Sequence, residues 1–160
     1  MNDNDPWLHW VTLYTDAGFH PVARGTYGCR TRHSFPPFRT EICGPVPDPC
    51  KDSNVAEMHA IVVGVEHVLQ TWTRVDGIGV NTDSQTAQGC LKYGATPHRR
   101  SDFRALQERL KAALNAKAAD QGSEVRIRIK WVRSHQSPNE GGVRGWLNNR
   151  VDALARKARR

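Results

Sequence analysis

No run in this 160-residue sequence is long and apolar enough to cross a bilayer as a helix. The first residues, Met1 to Pro6, are acidic and polar and lack the apolar core of a signal peptide, so a cytoplasmic protein is expected. Cysteine is scarce: Cys29, Cys43, Cys50 and Cys90 form no C-x-x-C pair, which argues against a zinc site and leaves free thiols as the expectation. There is neither an internal repeat nor a low-complexity linker. Acids are the minority charge. Against 16 Asp and Glu stand 23 Lys and Arg, and the resulting formal charge of +7 favours an anionic partner such as nucleic acid, although charge alone is equally consistent with solubility.

What is present fits one packed domain, taken as residues 1–160 with a core from about residue 10 to 158. Trp10 to Thr15 alternates and is rich in strand formers, ending at the turn signal Asp16-Ala17-Gly18. Gly25 to Arg32 and Phe38 to Cys43 read as two further strands, and their short connections predict antiparallel pairing. Gly44 to Asp52 reads as a loop. Val55, Met58, Val62, Val65 and Leu69 then recur at helical spacing, with Ser53 or Asn54 as the cap. A buried strand at Gly77 to Thr82, a short helix at Ser84 to Leu91 and a loop at Tyr93 to Arg100 follow. Phe103, Leu106, Leu110 and Leu114 mark a helix capped by Ser101, and Val125 to Trp131 alternates as a half-exposed strand. Gln136 to Trp146 reads as a loop, and Val151, Leu154, Ala155 and Ala158 as a last helix. A meander followed by strand–helix alternation predicts an α/β fold with a mixed sheet, antiparallel first and then parallel, flanked by helices.

Four acids fall at the ends of these elements. Asp16 and Asp83 follow the first and fourth strands, and Glu57 and Asp152 lie in the first turns of the first and last helices. Ligands of open α/β sheets collect beyond the carboxyl ends of strands. Each acid also has a local reading: Asp16 as a turn residue, Asp83 as a cap, and Asn54-x-x-Glu57 and Asn149-x-x-Asp152 as capping boxes. Gathered at one edge, however, four carboxylates repel one another strongly without a counter-charge, and oxygen donors select hard divalent ions.

The motifs Thr15-Asp16-Ala17-Gly18, Asn54-Val55-Ala56-Glu57-Met58, Asn81-Thr82-Asp83-Ser84-Gln85, Trp131-Val132-Arg133-Ser134-His135 and Asn148-Asn149-Arg150-Val151-Asp152-Ala153-Leu154-Ala155 resemble, in order, those of type 1 ribonucleases H. The resemblance spans about Trp10 to Ala158. It implies a ribonuclease H-like five-stranded sheet and endonucleolytic cleavage of the RNA strand of RNA–DNA hybrids. The products would carry 5′-phosphate and 3′-hydroxyl ends. It implies two Mg²⁺ ions, replaceable by Mn²⁺, with Asp16 bridging both, Asp152 completing the ion that binds the attacking water, and Glu57 and Asp83 serving the other. His135 corresponds to a mobile histidine that aids proton transfer or product release. Gly18, Asn54, Gln85 and Asn148 match positions at or near the nucleic acid. The implied partner is the hybrid, with no membrane and a monomeric state.

This chain departs from the resembled pattern in three places. The turn after Asp16 lacks the polar series common in bacterial members. The segment between Leu91 and Ser101 is too short for the basic helix and loop that many members insert, leaving His98, Arg99, Arg100 and Arg104. The stretch Gln136 to Leu147 is longer than usual. Two other readings stay open at this point: a hybrid-binding module with weak catalysis, and another nuclease of the same broad fold, such as a resolvase.

Overall fold

The computed structural model describes residues 5–18, 25–46, 53–85, 87–89, 101–132, 153–154 and 156–157. Five strands form one sheet: β1 (Trp10–Gly18), β2 (Thr26–Arg32), β3 (Arg39–Pro45), β4 (Gly77–Thr82) and β5 (Arg126–Trp131), in the order β3-β2-β1-β4-β5. β1 pairs antiparallel with β2, and β2 with β3, whereas β1–β4 and β4–β5 are parallel. The mixed sheet expected from the meander and the later alternation is therefore present.

Burial follows strand position. Central β1 and β4 are covered almost throughout, while β3 and β5 alternate between exposed and half-buried residues. Those two are the outer strands of the sheet, and both carry charge, with Arg39 and Glu41 on β3 and Arg126, Arg128 and Lys130 on β5. Charged outer strands discourage pairing with another chain. Arg128 also lies over the rings of Trp7 and Trp10, 4.8 and 5.6 Å from their centroids.

Two strand ends differ from the sequence expectation. Asp16-Ala17-Gly18 is not a turn: it continues β1, paired with Gly28, Tyr27 and Thr26. Gly44 and Pro45 likewise extend β3 opposite Tyr27 and Thr26. In both places ladder hydrogen bonding outweighs local turn propensity, and Pro45 is tolerated because β3 is an outer strand.

Helix α1 (Ser53–Thr71) buries Val55, Met58, Ile61, Val62, Val65, Val68 and Leu69 against Val11, Leu13, Ile78 and Val80 of the sheet. Gly64 allows the close approach. A Cβ there would stand 3.0 Å from both Leu13 methyls and 3.1 Å from the Cys29 sulfur. Helix α2 (Ser101–Gln121) packs Phe103 and Leu110 onto the same core. It ends where Gly122 turns to φ 75°, a left-handed conformation that glycine adopts without cost. The Gln121 side chain accepts the Val75 N–H at 3.0 Å and donates to the Val75 carbonyl at 2.8 Å, pinning the entry to β4. Residues 85 and 87–89 are helical, and so are 153–154 and 156–157, within the expected last helix. The expected loops Tyr93 to Arg100 and Gln136 to Trp146 lie outside the described residues.

Candidate functional site

The parallel register of β1 and β4 sets Tyr14 beside Asn81. Two residues further along each chain are Asp16 and Asp83, at the carboxyl edge of neighbouring strands. Glu57 reaches the same place from α1. One oxygen from each of the three carboxyl groups lies within 4.8 Å of the others. Asp16 and Glu57 are buried and Asp83 is half-buried.

Glu57 is not in the first turn of its helix, as the sequence suggested: α1 begins at Ser53, and its first turn holds no acid. From there its side chain reaches the sheet edge beside Asp16 and Asp83. The capping-box alternative is not realised either, because Glu57 Oε1 accepts the backbone N–H of Ala17 at 3.1 Å. The other oxygen, Oε2, is buried without a hydrogen-bond partner. Burial, then the charges of Asp16 and Asp83, hold the Glu57 carboxyl well above its ordinary range.

Repulsion decides what this cluster needs. Two carboxylates about 5 Å apart repel by about 3 kcal/mol at an effective dielectric of about 20. An all-oxygen donor set with an unsatisfied buried lone pair suits a hard divalent cation, which removes that repulsion. Among the described residues this is the sole cluster of three or more potential metal ligands.

The turn that carries Asp83 is tied down from several sides. Ser84 donates its N–H to Thr82 Oγ1 at 3.1 Å, and its hydroxyl accepts the Ala87 N–H at 3.0 Å, so Ser84 rather than Asp83 caps the short helical turn. The same hydroxyl points to Asn54 Oδ1 at 3.4 Å, linking the start of α1 to the turn. The indole N–H of Trp131 donates to the Asp83 carbonyl at 3.1 Å. Local sequence pattern does not show these ties: it marks Trp131 and Ser84 as ends of elements and members of motifs, but not as partners of the Asp83 turn.

Of the other candidate residues, Gly18 ends β1 and Asn54 stands at the start of α1, half-buried. Gln85 is exposed one position beyond Ser84. His135, Asn148 and Asp152 lie outside the described residues. The remaining histidines belong to none of the motifs. Of these, His33 and His59 are buried, and burial, then the Arg109 charge, pushes His59 down to about 4.

A family model described as RNase H matches residues 9–160. Among solved structures, RNase H1 from the halophilic archaeon Halobacterium salinarum NRC-1 is similar over 93% of this chain and 96% of that chain, with a TM-score of 0.66 and 21% identity. The N-terminal RNase H domain of a Mycobacterium tuberculosis protein matches over 93% of this chain and 92% of that chain, with a TM-score of 0.66 and 18% identity. LC11-RNase H1, solved in complex with an RNA/DNA hybrid, matches over 93% and 96% of the two chains, with a TM-score of 0.58 and 16% identity. At these identities the structural likeness is one of fold. No curated protein matches the chain.

Proposed function

Since this chain belongs to the RNase H family, we propose that it is an endoribonuclease that hydrolyses the RNA strand of RNA–DNA hybrids and leaves 5′-phosphate and 3′-hydroxyl ends. The observation that carries the reading is the Asp16–Glu57–Asp83 cluster, three carboxyl groups within 4.8 Å of one another, with Glu57 Oε2 buried and unpartnered. The RNA/DNA hybrid bound by LC11-RNase H1 supports the choice of substrate.

In this proposal Asp16, Glu57, Asp83 and Asp152 hold two Mg²⁺ ions, for which Mn²⁺ can substitute. Such ions lower the pKa of a bound water and stabilise the leaving oxygen in an in-line displacement. The protein's own contribution is placement. The Ala17 N–H holds one oxygen of Glu57 and so fixes the carboxyl group of the cluster in place. His135 exchanges a proton near the leaving oxygen, and Gly18, Asn54, Gln85 and Asn148 contact the hybrid beside the cut. Asparagine and glutamine amides can bond to 2′-hydroxyls, the groups that distinguish RNA from DNA.

The whole of residues 1–160 acts in this scheme as one monomeric domain in the cytoplasm. Cys29 and Cys43 are free thiols, in keeping with a reducing compartment. No helix among the described residues is long and apolar enough to cross a membrane.

The test compares end-labelled RNA–DNA hybrid, double-stranded RNA and double-stranded DNA, each with Mg²⁺ or Mn²⁺. Internal cuts confined to the RNA of the hybrid are expected. Binding of the hybrid without cleavage, or cleavage of a branched DNA junction with the hybrid untouched, would overturn the proposal.

A further inference from the structure

We propose that Trp131 is a positioning residue for the carboxylate cluster, its indole N–H holding the Asp83 carbonyl and thereby the aim of the Asp83 side chain. The inference rests on the metal-site reading above. Trp131 is the last residue of β5 and pairs with Thr82, the last residue of β4. The next step of the ladder, Val132 N–H to the Thr82 carbonyl, is 2.8 Å long. Asp83 follows the end of β4, and its carbonyl is met by a side chain, Trp131 Nε1, at 3.1 Å from 48 residues away.

The exposure of the ring argues against a core role. Trp131 is 40% exposed, one of three large apolar side chains in that condition among the described residues. A tryptophan kept mainly for packing would bury more of its surface. Its polar atom is the part engaged, on a residue whose carboxyl belongs to a cluster within 4.8 Å. Metal and catalytic groups need placement to within about 0.5 Å, which supporting hydrogen bonds supply. The downstream side of the turn is already fixed by Ser84 through Thr82 and Ala87. Trp131 holds it at Asp83 itself. The side chain carries no charge, so replacing it affects metal binding through position and not through repulsion.

The experiment is Mn²⁺ titration of the substrate-free protein by calorimetry, beside hybrid kinetics across Mn²⁺ concentrations. Trp131→Phe keeps an aromatic ring and removes the N–H. It is expected to weaken Mn²⁺ binding about fivefold, equivalent to about 1 kcal/mol. Its Tm should stay within about 3 °C of wild type and its KM for hybrid unchanged, with kcat recovering as Mn²⁺ is raised. Wild-type Mn²⁺ affinity in Trp131→Phe overturns the inference. So does unchanged Mn²⁺ affinity with a raised KM, which would assign the ring to substrate contact. Asp83→Asn separates the two levels. If it too binds Mn²⁺ like wild type, the metal-site reading fails; if it loses binding while Trp131→Phe does not, only the positioning role fails.

Discussion

Glu57 receives the backbone N–H of Ala17 on one carboxylate oxygen, at 3.1 Å, and leaves the other buried beside Asp16 and Asp83 without a donor. The bond joins α1 to the end of β1 across 40 residues of sequence. It also makes the site's chemistry separable from its fold, because a glutamine at position 57 still offers a carbonyl oxygen to Ala17.

Glu57→Gln, Asp16→Asn and Asp83→Asn should each lower kcat at least 100-fold while the protein stays folded. Removing one charge relieves repulsion, so without divalent ions each Tm should equal or exceed that of wild type. Hybrid cleavage and thermal melts in chelator check both halves. Unfolding of all three variants, or full activity in any, contradicts the assignment.

The raised Glu57 carboxyl fixes a pH dependence with a definite sign. In the unfolded chain the group ionises around its ordinary 4.5, whereas in the metal-free fold it keeps its proton to higher pH. From 4.5 upward the folded state binds more protons, so this group's contribution to stability falls as pH rises through that window. Divalent ions compete with the same proton, so their affinity should climb over the same range and their addition should offset the loss. Melts from pH 4.5 to 8, with chelator and with Mg²⁺, test this for wild type and Glu57→Gln. The variant should lack this component.

The sequence reading extends as far as local pattern does. Strand alternation and the helical spacing of Val55, Met58, Val62, Val65 and Leu69 identified the elements, and their order implied the mixed sheet. Asp16, Glu57 and Asp83 were named because motifs at element ends carried them, and the structure brings the three together. What escaped depends on contacts distant in sequence. Nothing local says that Asp16-Ala17-Gly18 stays in a ladder with Thr26 to Gly28, or that Trp131 reaches the Asp83 carbonyl. The same holds for His59, whose burial against Tyr27 and near Arg109 comes from three separate elements.

His59 supplies a second, opposite pH effect. Its imidazole lies edge-on to Tyr27, with centroids 5.6 Å apart, and its pKa falls from 6.5 to about 4. Burial is the first cause and the Arg109 charge the second, partly offset by Glu66. Between pH 6.5 and 4 the unfolded chain takes up a proton that the folded chain refuses, so stability falls as pH falls. His59→Phe preserves an aromatic contact with Tyr27 and removes the titration. The Tm loss on going from pH 7 to pH 5 should be smaller in the variant. An unchanged loss would assign the effect to His33 and His67, which burial also lowers.

Gly64 should tolerate little. An added methyl meets Leu13 at 3.0 Å and Cys29 at 3.1 Å, both in the core between α1 and the sheet. Overpacking of this kind costs about 1–3 kcal/mol. Gly64→Ala should therefore lower stability in a urea melt by about that amount, and Gly64→Val by more. A neutral Gly64→Ala would mean that α1 can slide outward freely. Activity should then be watched, since Glu57 rides on the same helix.

Asn54 tests where structure ends and substrate recognition begins. Its Oδ1 meets the Ser84 hydroxyl at 3.4 Å, long for an O–H···O bond, so deleting it should cost little stability. Ser84 does more, since its hydroxyl also caps the helical turn through the Ala87 N–H at 3.0 Å. Loss of such a cap costs about 1 kcal/mol, or roughly 2–4 °C in a domain of about 150 residues. Ser84→Ala is therefore expected to lower Tm by that amount, with a modest fall in kcat as the neighbouring Asp83 loosens. Asn54→Ala should melt within about 1 °C of wild type. If its amide contacts the hybrid, KM rises about 3- to 10-fold at nearly constant kcat and unchanged Mn²⁺ affinity. A KM equal to wild type in Asn54→Ala would confine this asparagine to its link with Ser84, and hybrid recognition at the start of α1 would have to come from another residue.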